Sequence, residues 1–193
     1  MLSDLARLHP WPKTKPVGSP TVRGWHLPIV QKALLPELPK CRVILELGVY
    51  HGESTRWFCD NSGAMVIAVD HFQGSPHMKH DAGLRGELGL IWETFCAASW
   101  DYRDRIIPMR MDTVEAMHRI YGQLVDPDLI YLDASHETEP TRRELTTILN
   151  LFPGAKVYGD DYNWTTVKAA VDAVATERDL DLWNNGRVWW IRK

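Results

Sequence analysis

From residue 29 onward, short apolar runs alternate with helix-like stretches, and this alternation restricts the chain to few folds. Five runs are typical of buried strands: Arg42–Leu47, Ala64–Asp70, Arg105–Met111, Asp128–Asp133 and Ala155–Gly159. Before, between and after them, the pattern predicts helices near 29–38, 53–62, 87–101, 113–123, 140–152 and 165–177. Strands that alternate with helices form a mostly parallel sheet covered on both faces, so we expect a doubly wound α/β fold.

The last part of the chain has a different pattern. The strand-like runs Leu180–Trp183 and Arg187–Ile191 flank an Asn-Gly step at Asn185-Gly186, which is the strongest short-range signal for a β-hairpin. The hairpin adds one antiparallel strand to the sheet. Pro108 weakens the third predicted strand and suits an edge position, since proline cannot donate a ladder hydrogen bond.

Residues 1–28 differ in composition from the rest of the chain. They contain two glycines and five prolines, at Pro10, Pro12, Pro16, Pro20 and Pro28, which rule out long regular elements. We therefore expect an irregular N-terminal arm that packs on the domain or covers a site as a lid. We expect residues 29–193 to form one domain with a substantial core.

Charge and composition exclude several classes of function. The net charge is −3 and the pI about 6.2, so the chain lacks the basic footprint of a nucleic-acid-binding protein. No apolar run is long enough to cross a membrane, and the N-terminal residues lack the apolar h-region typical of a signal peptide. Cys41, Cys59 and Cys96 are widely spaced in apolar surroundings and predict reduced core residues of a cytoplasmic protein. Oligomeric state stays open, and a homo-oligomer whose lid comes from a partner subunit is one alternative.

The stretch VILELGVYHGES, residues 43–54, joins the first strand to a helix through a glycine-containing turn. In open α/β sheets, ligands bind beyond the carboxyl ends of the strands, usually over this turn. The nicotinamide fingerprint G-x-G-x-x-G has a glycine where this chain has Tyr50, and the lysine of a P-loop is absent. Tyr50 and the missing lysine both argue against a phosphate-binding turn.

The same turn suits a smaller ligand that carries a ribose and a carboxylate. Gly48 leaves room for a sugar at the strand end, and Gly52 clears the start of the helix. Free amides at the helix N-terminus, with the Ser54 hydroxyl, can hold a carboxylate. The second strand ends at Asp70, a usual place for an acid that accepts hydrogen bonds from ribose. S-adenosylmethionine combines both groups, although the turn could also merely connect a strand to a helix.

The segment ELGVYHGES closely resembles the first motif of class I methyltransferases, in the form seen in the catechol O-methyltransferase group. The resemblance implies a Rossmann-like, seven-stranded sheet with an antiparallel C-terminal strand. It also implies that S-adenosylmethionine is the cofactor. The cofactor-binding residues predicted in this way are Glu46, Gly48, Tyr50, Gly52, Ser54, Asp70, His71, Asp112 and Asp133.

Acidic residues follow two later strands. YLDASHE places Asp133 and His136 after the fourth strand, and VYGDDYNW places Asp160 and Asp161 after the fifth. Neighbouring strand ends would bring these carboxylates together, and such charges need a cation or protons to neutralise them. Mg²⁺ or a similar divalent cation, which prefers oxygen ligands, fits this set. A solvated turn and helix cap is the alternative for the Asp160-Asp161 pair.

The family resemblance extends to these residues and covers about residues 41–175. In metal-dependent O-methyltransferases, an aspartate after strand four and an acidic pair after strand five bind Mg²⁺, which implies Asp133, Asp160 and Asp161 as ligands. That family often has a lysine three positions after the first aspartate, where this chain has His136. The patterns D-x-S-H and G-D-D-Y resemble those of a bacterial branch of small methyltransferases and tailoring enzymes. That branch is related to macrolide-sugar and cephalosporin methoxylation proteins.

These patterns together predict a Mg²⁺-dependent O-methyltransferase acting on a small hydroxylated acceptor such as a catechol, a vicinal diol or a sugar. His136 and Asp133 are the predicted catalytic residues, with His136 accepting the acceptor's proton. Alternatively, His136 orients Asp133 or binds the metal itself. Two other functions remain open: a cofactor-binding protein without transferase activity, and a component similar to cephalosporin hydroxylase.

A few residues have two interpretations in the sequence. Asp112 could contact the adenine or cap a helix. Trp25 and Trp164 could wall an acceptor site or belong to the core. Residues 71–86 are predicted to be a loop. His71, His77 and His80 within it have a metal-like spacing but are more typical of a mobile polar loop.

Overall fold

A computed structural model of the protein describes residues 1–25, 27–75, 78 and 80–192. The strands are β1 Val43–Leu47, β2 Met65–Asp70, β3 Ile106–Arg110, β4 Leu129–Leu132, β5 Lys156–Gly159, β6 Asp181–Asn184 and β7 Trp189–Arg192. They form a seven-stranded sheet in the order β3-β2-β1-β4-β5-β7-β6. β7 runs antiparallel to both β5 and β6, and the other neighbours are parallel. The predicted doubly wound sheet with an antiparallel C-terminal strand is confirmed.

Helices alternate with the strands along the chain, as the sequence predicts. They are α1 Leu2–Leu8, α2 Pro28–Leu34, α3 Glu53–Asn61, α4 Ala82–Arg85, α5 Ile91–Ala98, α6 Thr113–Gly122, α7 Thr138–Leu151 and α8 Thr165–Glu177. Single 3₁₀ turns lie at Leu38–Lys40, Leu88–Leu90 and Trp100–Tyr102. Within the described part of the chain, no helix is both long and apolar enough to cross a membrane.

Three predicted segments differ from the structure in detail. The N-terminal arm is not irregular throughout, because α1 precedes its first proline and buries Leu5. The segment 71–86, expected to be a loop, contains α4. The helix expected at 87–101 is α5 flanked by two 3₁₀ turns, since its apolar spacing continues past both ends of the α-helical part.

The two faces of the sheet bury two separate cores, and the alternation of side chains along each strand sets which core a residue joins. In β1, Leu45 and Leu47 face the core formed with α1, α6, α7 and α8. Ile44 faces the second core, where it meets residues of α2, α3 and α5. Glu46 lies between Leu45 and Leu47, so its side chain points toward α3 and away from the core of Leu45.

The N-terminal arm packs on the domain. The indole nitrogen of Trp11 donates to the backbone oxygen of Ile106 at 2.9 Å, and the Trp11 ring stacks on Phe95. Further along, the amide of Ser19 donates to the Thr94 hydroxyl at 2.8 Å. These contacts run toward the carboxyl edge of the sheet, where the arm reaches the candidate site.

The strand order places the switch point of the sheet between β1 and β4. The chain leaves β1 toward β2 and β3, then crosses back to β4, so the turns after β1 and β4 diverge and leave a crevice between them. Ligands of open α/β sheets bind in this crevice. Pro108 lies in β3 at the sheet edge, as its missing amide hydrogen predicted.

Candidate active site

A cavity of about 690 Å³ opens at the carboxyl edge of the sheet. The turns after the parallel strands supply its floor through Gly48, Asp70, Asp112, Asp133 and Asp161, which all line it. The N-terminal arm forms part of its rim. The cavity is large enough for a nucleoside-sized ligand together with a small second molecule.

Gly48 begins the turn after β1 and fits only without a side chain. Its φ is +89°, and a Cβ atom placed there would lie 2.0 Å from the backbone oxygen of Asp133. The turn after β1 therefore approaches the turn after β4 within backbone contact distance. Gly52, with φ +75°, precedes α3, and a Cβ atom there would meet the Phe95 ring at 2.8 Å. Both predicted glycine positions are thus required by geometry, whatever the turn binds.

Asp70 organises the same turn through its carboxylate. Its Oδ2 accepts hydrogen bonds from the amides of Val49 and Tyr50, each at 2.9 Å, and its Oδ1 accepts from the amide of Phe72 at 2.6 Å. A carboxylate has about four acceptor positions. Asp70 lines the cavity with its side chain 16 % exposed, so it retains capacity for a ligand hydroxyl.

Glu46, a predicted cofactor-binding residue, does not lie on the cavity wall. It is fully buried behind the turn, where the hydroxyls of Ser54 and Thr55 donate to its two carboxylate oxygens. Burial raises the pKa of Glu46 to about 8. The structure thus ties Glu46 and the Ser54 hydroxyl to each other, and they fix the first turn of α3 from behind. Ser54 also lines the cavity.

The remaining predicted cofactor residues lie around this floor. Tyr50 has φ +50° and stacks on His51, and its hydroxyl donates to Glu87 at 3.2 Å. His71 lines the cavity with its side chain 51 % exposed. Asp112 also lines the cavity, while its carboxylate caps α6 by accepting from the amides of Val114 and Glu115.

Asp133, His136 and Asp161 form one cluster on the cavity wall. Their ligand atoms lie within 4.8 Å of one another, an arrangement that could hold a metal ion. The Nε2 atom of His136 is 2.8 Å from Oδ2 of Asp161 and 3.8 Å from Oδ1 of Asp133. The predicted convergence of the β4 and β5 ends is present for these residues.

The charged groups of this cluster shift one another's pKa values. Burial alone would favour a neutral His136, but its contacts with Asp133 and Asp161 outweigh burial and raise its pKa to about 10. Burial also raises the pKa of Asp133 above its ordinary value, against the effect of His136. A protonated imidazole therefore lies between the two carboxylates.

Asp160 stands apart from the cluster, which differs from the expectation that three carboxylates converge. Its side chain is only 2 % exposed, and it pairs with Arg187, whose Nε lies 2.8 Å from its Oδ1. Tyr131 donates to its Oδ2 at 3.3 Å, and the amide of Asp161 donates to its Oδ1 at 2.7 Å. Arg187 also reaches Oδ1 of Asp161 at 3.0 Å. Among the three predicted metal ligands, Asp160 is thus the one whose carboxylate is most fully engaged by the guanidinium.

Part of the N-terminal arm closes over the cavity. Arg23 forms an ion pair with Glu87 at 2.9 Å, and its amide donates to Nδ1 of His51 at 3.1 Å. Trp25 packs against Tyr50 with 5.4 Å between ring centroids and is 52 % exposed. Arg23 and Trp25 both line the cavity, so the arm is packed on the domain and also borders the site.

A sequence comparison decides the family. The profile of a family described as "Methyltransferase domain" matches residues 45–162, which spans the first turn and both acidic segments. The chain belongs to this methyltransferase family. No curated protein sequence matches the chain.

Solved structures of other methyltransferases share the fold. CalS11, a calicheamicin methyltransferase, is 18 % identical with a TM-score of 0.55, over 83 % of this chain and 74 % of that chain. An O-methyltransferase from Bacillus cereus, in complex with SAH, is 16 % identical with a TM-score of 0.56, over 100 % of this chain and 88 % of that chain. At these identities the likeness establishes a shared Rossmann-like methyltransferase fold.

The sequence did not predict three residues that line this cavity. Arg23 lies in the arm and Arg187 in the hairpin turn, and no local motif marks either. Glu144 lines the cavity although it is only 6 % exposed; Thr113 donates to its Oε1 at 2.6 Å, and burial raises its pKa to about 7. A charged residue among the buried positions of the α7 stripe was the available signal for Glu144.

The other candidate residues divide between wall and loop. Trp164 lines the cavity, is 39 % exposed and packs on His136 with 4.7 Å between centroids, as the wall interpretation predicted. His80 is exposed, and His77 lies outside the described residues. Cys41, Cys59 and Cys96 are buried free thiols, in agreement with the sequence.

Proposed function

We propose that this methyltransferase uses S-adenosylmethionine to methylate a hydroxyl of a small molecule, with a divalent cation such as Mg²⁺ at the acceptor. One observation carries the proposal. The glycine turn after β1 and the Asp133–His136–Asp161 cluster line the same cavity, so a methyl donor held by the turn would face the cluster. A catechol, a vicinal diol or a sugar is the acceptor class that the proposal names.

The residues of the first turn fit the methyl donor. Gly48 lets the turns after β1 and β4 pack in backbone contact, and Asp70 presents remaining acceptor capacity to ribose hydroxyls. The first amides of α3, beyond Gly52, point to the cavity end of the helix and favour a carboxylate. The donor supplies a sulfonium-bound methyl group.

The acidic cluster fits a hard divalent cation through Asp133 and Asp161. Both carboxylates line the cavity, and the imidazole of His136 is the third nearby donor atom. Asp160 contributes by holding Arg187 rather than as a ligand. A bound divalent cation would lower the pKa of an acceptor hydroxyl and orient it.

His136 is the candidate base, and its surroundings set a condition on that role. It accepts a proton only when neutral, whereas contacts with the two aspartates raise its pKa to about 10 and favour the protonated form. The base role therefore requires that something other than the imidazolium neutralise Asp133 and Asp161. Trp164, packed against His136, keeps the ring in place beside the acceptor.

Methyl transfer from radiolabelled S-adenosylmethionine to a panel of catechols, sugars and aliphatic diols tests the proposal. We expect transfer to at least one diol, loss of more than about 99 % of kcat/KM in the Asp161→Asn enzyme, and inhibition by EDTA that Mg²⁺ reverses. If S-adenosylhomocysteine produces no thermal shift with or without Mg²⁺, the cofactor assignment is wrong. If the cofactor binds but no acceptor is methylated, the alternatives of a cofactor-binding protein or a cephalosporin hydroxylase-like component take precedence.

A further inference from the structure

Glu144 is a buried acid that the proposed chemistry does not use. It lines the cavity from α7 and is 6 % exposed, although Leu145 and Ile148 on the same helix are core residues. Its Oε2 has no hydrogen-bond partner of normal geometry among the described residues. A buried carboxyl with an unfilled acceptor destabilises a fold, and an apolar side chain at the same position would avoid that cost. The position therefore indicates a role other than packing.

Glu144 fixes the proton of the Thr113 hydroxyl. Thr113 begins α6 after the turn that follows β3, and its hydroxyl donates to Oε1 of Glu144 at 2.6 Å. Burial raises the pKa of Glu144 to about 7, so above pH 7 the carboxylate is mostly ionised and only accepts hydrogen bonds. Because a threonine hydroxyl has one proton and two lone pairs, only lone pairs of Thr113 remain for a further partner.

The turn after β3 thus presents hydrogen-bond acceptors to the cavity. Asp112 and Thr113 both line it, and an ionised carboxylate such as that of Asp112 accepts but does not donate. With the Thr113 proton committed to Glu144, both side chains offer only lone pairs to a ligand. Such a wall binds an N–H group and leaves a carbonyl oxygen without a donor.

This wall lies where the base of the methyl donor would extend. The proposed function places the amino-acid carboxylate at the start of α3, after β1, and the ribose at Asp70, after β2. In the sheet order β3-β2-β1-β4, the turn after β3 comes next beyond Asp70, on the side away from the β4 end. Because the sulfonium would face the acidic cluster at β4, the base on the ribose would point toward Asp112 and Thr113.

We propose that Glu144 is a positioning residue for the methyl donor, because it locks Thr113 as a hydrogen-bond acceptor that reads the exocyclic amino group of adenine. The pair discriminates against a base that carries an oxo group at the same ring position. This inference rests on the proposed function, since it concerns the donor in the same cavity.

Isothermal titration with two matched ligands at pH 8 tests this role without turnover. The ligands are S-adenosylhomocysteine and S-inosylhomocysteine, whose purine has an oxo group in place of the amino group. We expect the wild type to bind the adenosyl ligand at least about tenfold more tightly, which is the effect of leaving one polar group unpaired. A ratio below about tenfold overturns the inference.

Variants at both positions assign the discrimination. Glu144→Leu frees the Thr113 proton to donate to the oxo group, so the ratio of the two dissociation constants should fall at least about fivefold. Thr113→Val should lower the ratio to a similar extent, whereas Thr113→Ser keeps the hydroxyl and should hold the ratio within about twofold of the wild type. Glu139→Gln is the control and should leave the ratio unchanged, since Glu139 is an exposed acid on the same helix.

Three results would contradict the inference. Equal weakening of both ligands in Glu144→Leu would make Glu144 a structural residue only. An unchanged ratio in Thr113→Val would show that Thr113 does not read the base, and this result decides by itself if Glu144→Leu does not fold. A fall in the ratio in Asp112→Asn, with none in Glu144→Leu, would assign the amino group to Asp112.

The same titrations separate this inference from the proposed function. If S-adenosylhomocysteine binds with the expected ratios but no acceptor is methylated, the transfer proposal fails and the role of Glu144 stands. If S-adenosylhomocysteine binds and the ratio does not respond to Glu144 or Thr113, the inference fails and the proposed function stands. If S-adenosylhomocysteine does not bind with or without Mg²⁺, both fail.

Discussion

The turn after β1 and the acidic edge formed by β4 and β5 both concentrate polar groups, but they satisfy them in opposite ways. At the turn, Asp70 accepts hydrogen bonds from three backbone amides and Glu46 from two hydroxyls, so most of their acceptor capacity is used within the turn itself. At the acidic edge, His136 and Arg187 neutralise the carboxylates through side-chain charges that face the cavity.

This difference indicates two kinds of contribution to one site. The turn after β1 would hold a ligand mainly by its shape and its backbone amides, since its carboxylates maintain that shape. The acidic edge would act through side chains whose partners can be exchanged for a ligand. Substitutions at the turn should therefore reduce stability and binding together, whereas substitutions in the cavity-facing cluster should reduce transfer more than stability.

Gly48→Ala is the strongest test of the turn. A Cβ atom would meet a backbone oxygen at 2.0 Å, and φ of +89° strains any side chain, so we expect destabilisation by about 4 kcal/mol and loss of S-adenosylhomocysteine binding. Gly63→Ala is the control, because a Cβ atom there meets nothing within 4 Å. Thermal denaturation with and without S-adenosylhomocysteine measures both effects. Wild-type binding in Gly48→Ala would contradict the role given to backbone contact.

Asp160 and Asp161 are adjacent in sequence, but their substitutions should differ in effect. Substitution of Asp160 should mainly reduce stability, and substitution of Asp161 should mainly reduce methyl transfer. Asp160→Asn leaves Arg187 without its most buried partner, and we expect a loss of about 3 kcal/mol in the free energy of unfolding. Asp161→Asn should instead abolish most methyl transfer with a smaller loss of stability, because asparagine tolerates the positive φ of 55° there. Urea unfolding measures the loss of stability in both variants, and transfer assays measure their loss of activity. Equal stability effects would remove the distinction between the two aspartates.

Glu46 gives the turn a pH-dependent stability. Burial raises its pKa from 4.5 to about 8, so between these values the folded protein binds more protons there than the unfolded chain does. The contribution is complete below about pH 4.5 and is lost as pH rises through 8. We expect the wild type to lose about 2 kcal/mol relative to Glu46→Gln between pH 5 and 8. Parallel pH profiles for the two proteins in thermal denaturation would show that Glu46 is not buried as a neutral acid.

The arm should make the smallest contribution. Arg23→Ala removes the ion pair with Glu87 at the cavity rim, and exposed pairs are weak, so the dissociation constant of S-adenosylhomocysteine should rise only about two- to fivefold. Arg7→Ala is the control, since Arg7 pairs within α1 with Asp4. A much larger rise on removal of Arg23 would make the arm an essential wall of the donor site.

The sequence predicted the fold well because its information is local. Strand runs such as Ala64–Asp70 and the Asn185-Gly186 step determine elements through spacing and turn chemistry, and the alternation of elements leaves one kind of sheet. Gly48 and Asp70 could be predicted to lie beside the cavity because each follows a strand at a defined position of that fold, and both line it.

The partners of buried charges were not predictable in the same way. Asp160 looks equivalent to Asp161 in the sequence, and only the hairpin, which returns Arg187 from 27 positions away, separates them. Arg23 reaches the cavity from an arm without periodicity. Pairings of this kind depend on long-range packing, which a local pattern does not encode.

A crystal structure of the protein grown with S-adenosylhomocysteine and Mg²⁺ would test the central claim most directly. The account predicts the adenosine over the turn after β1 with ribose hydroxyls on Asp70, the amino-acid carboxylate at the start of α3, and the cation on Asp133 and Asp161, with Asp160 still bound to Arg187. A ligand bound away from Gly48 and Asp70, or a cavity that stays empty at saturating S-adenosylhomocysteine, would contradict it.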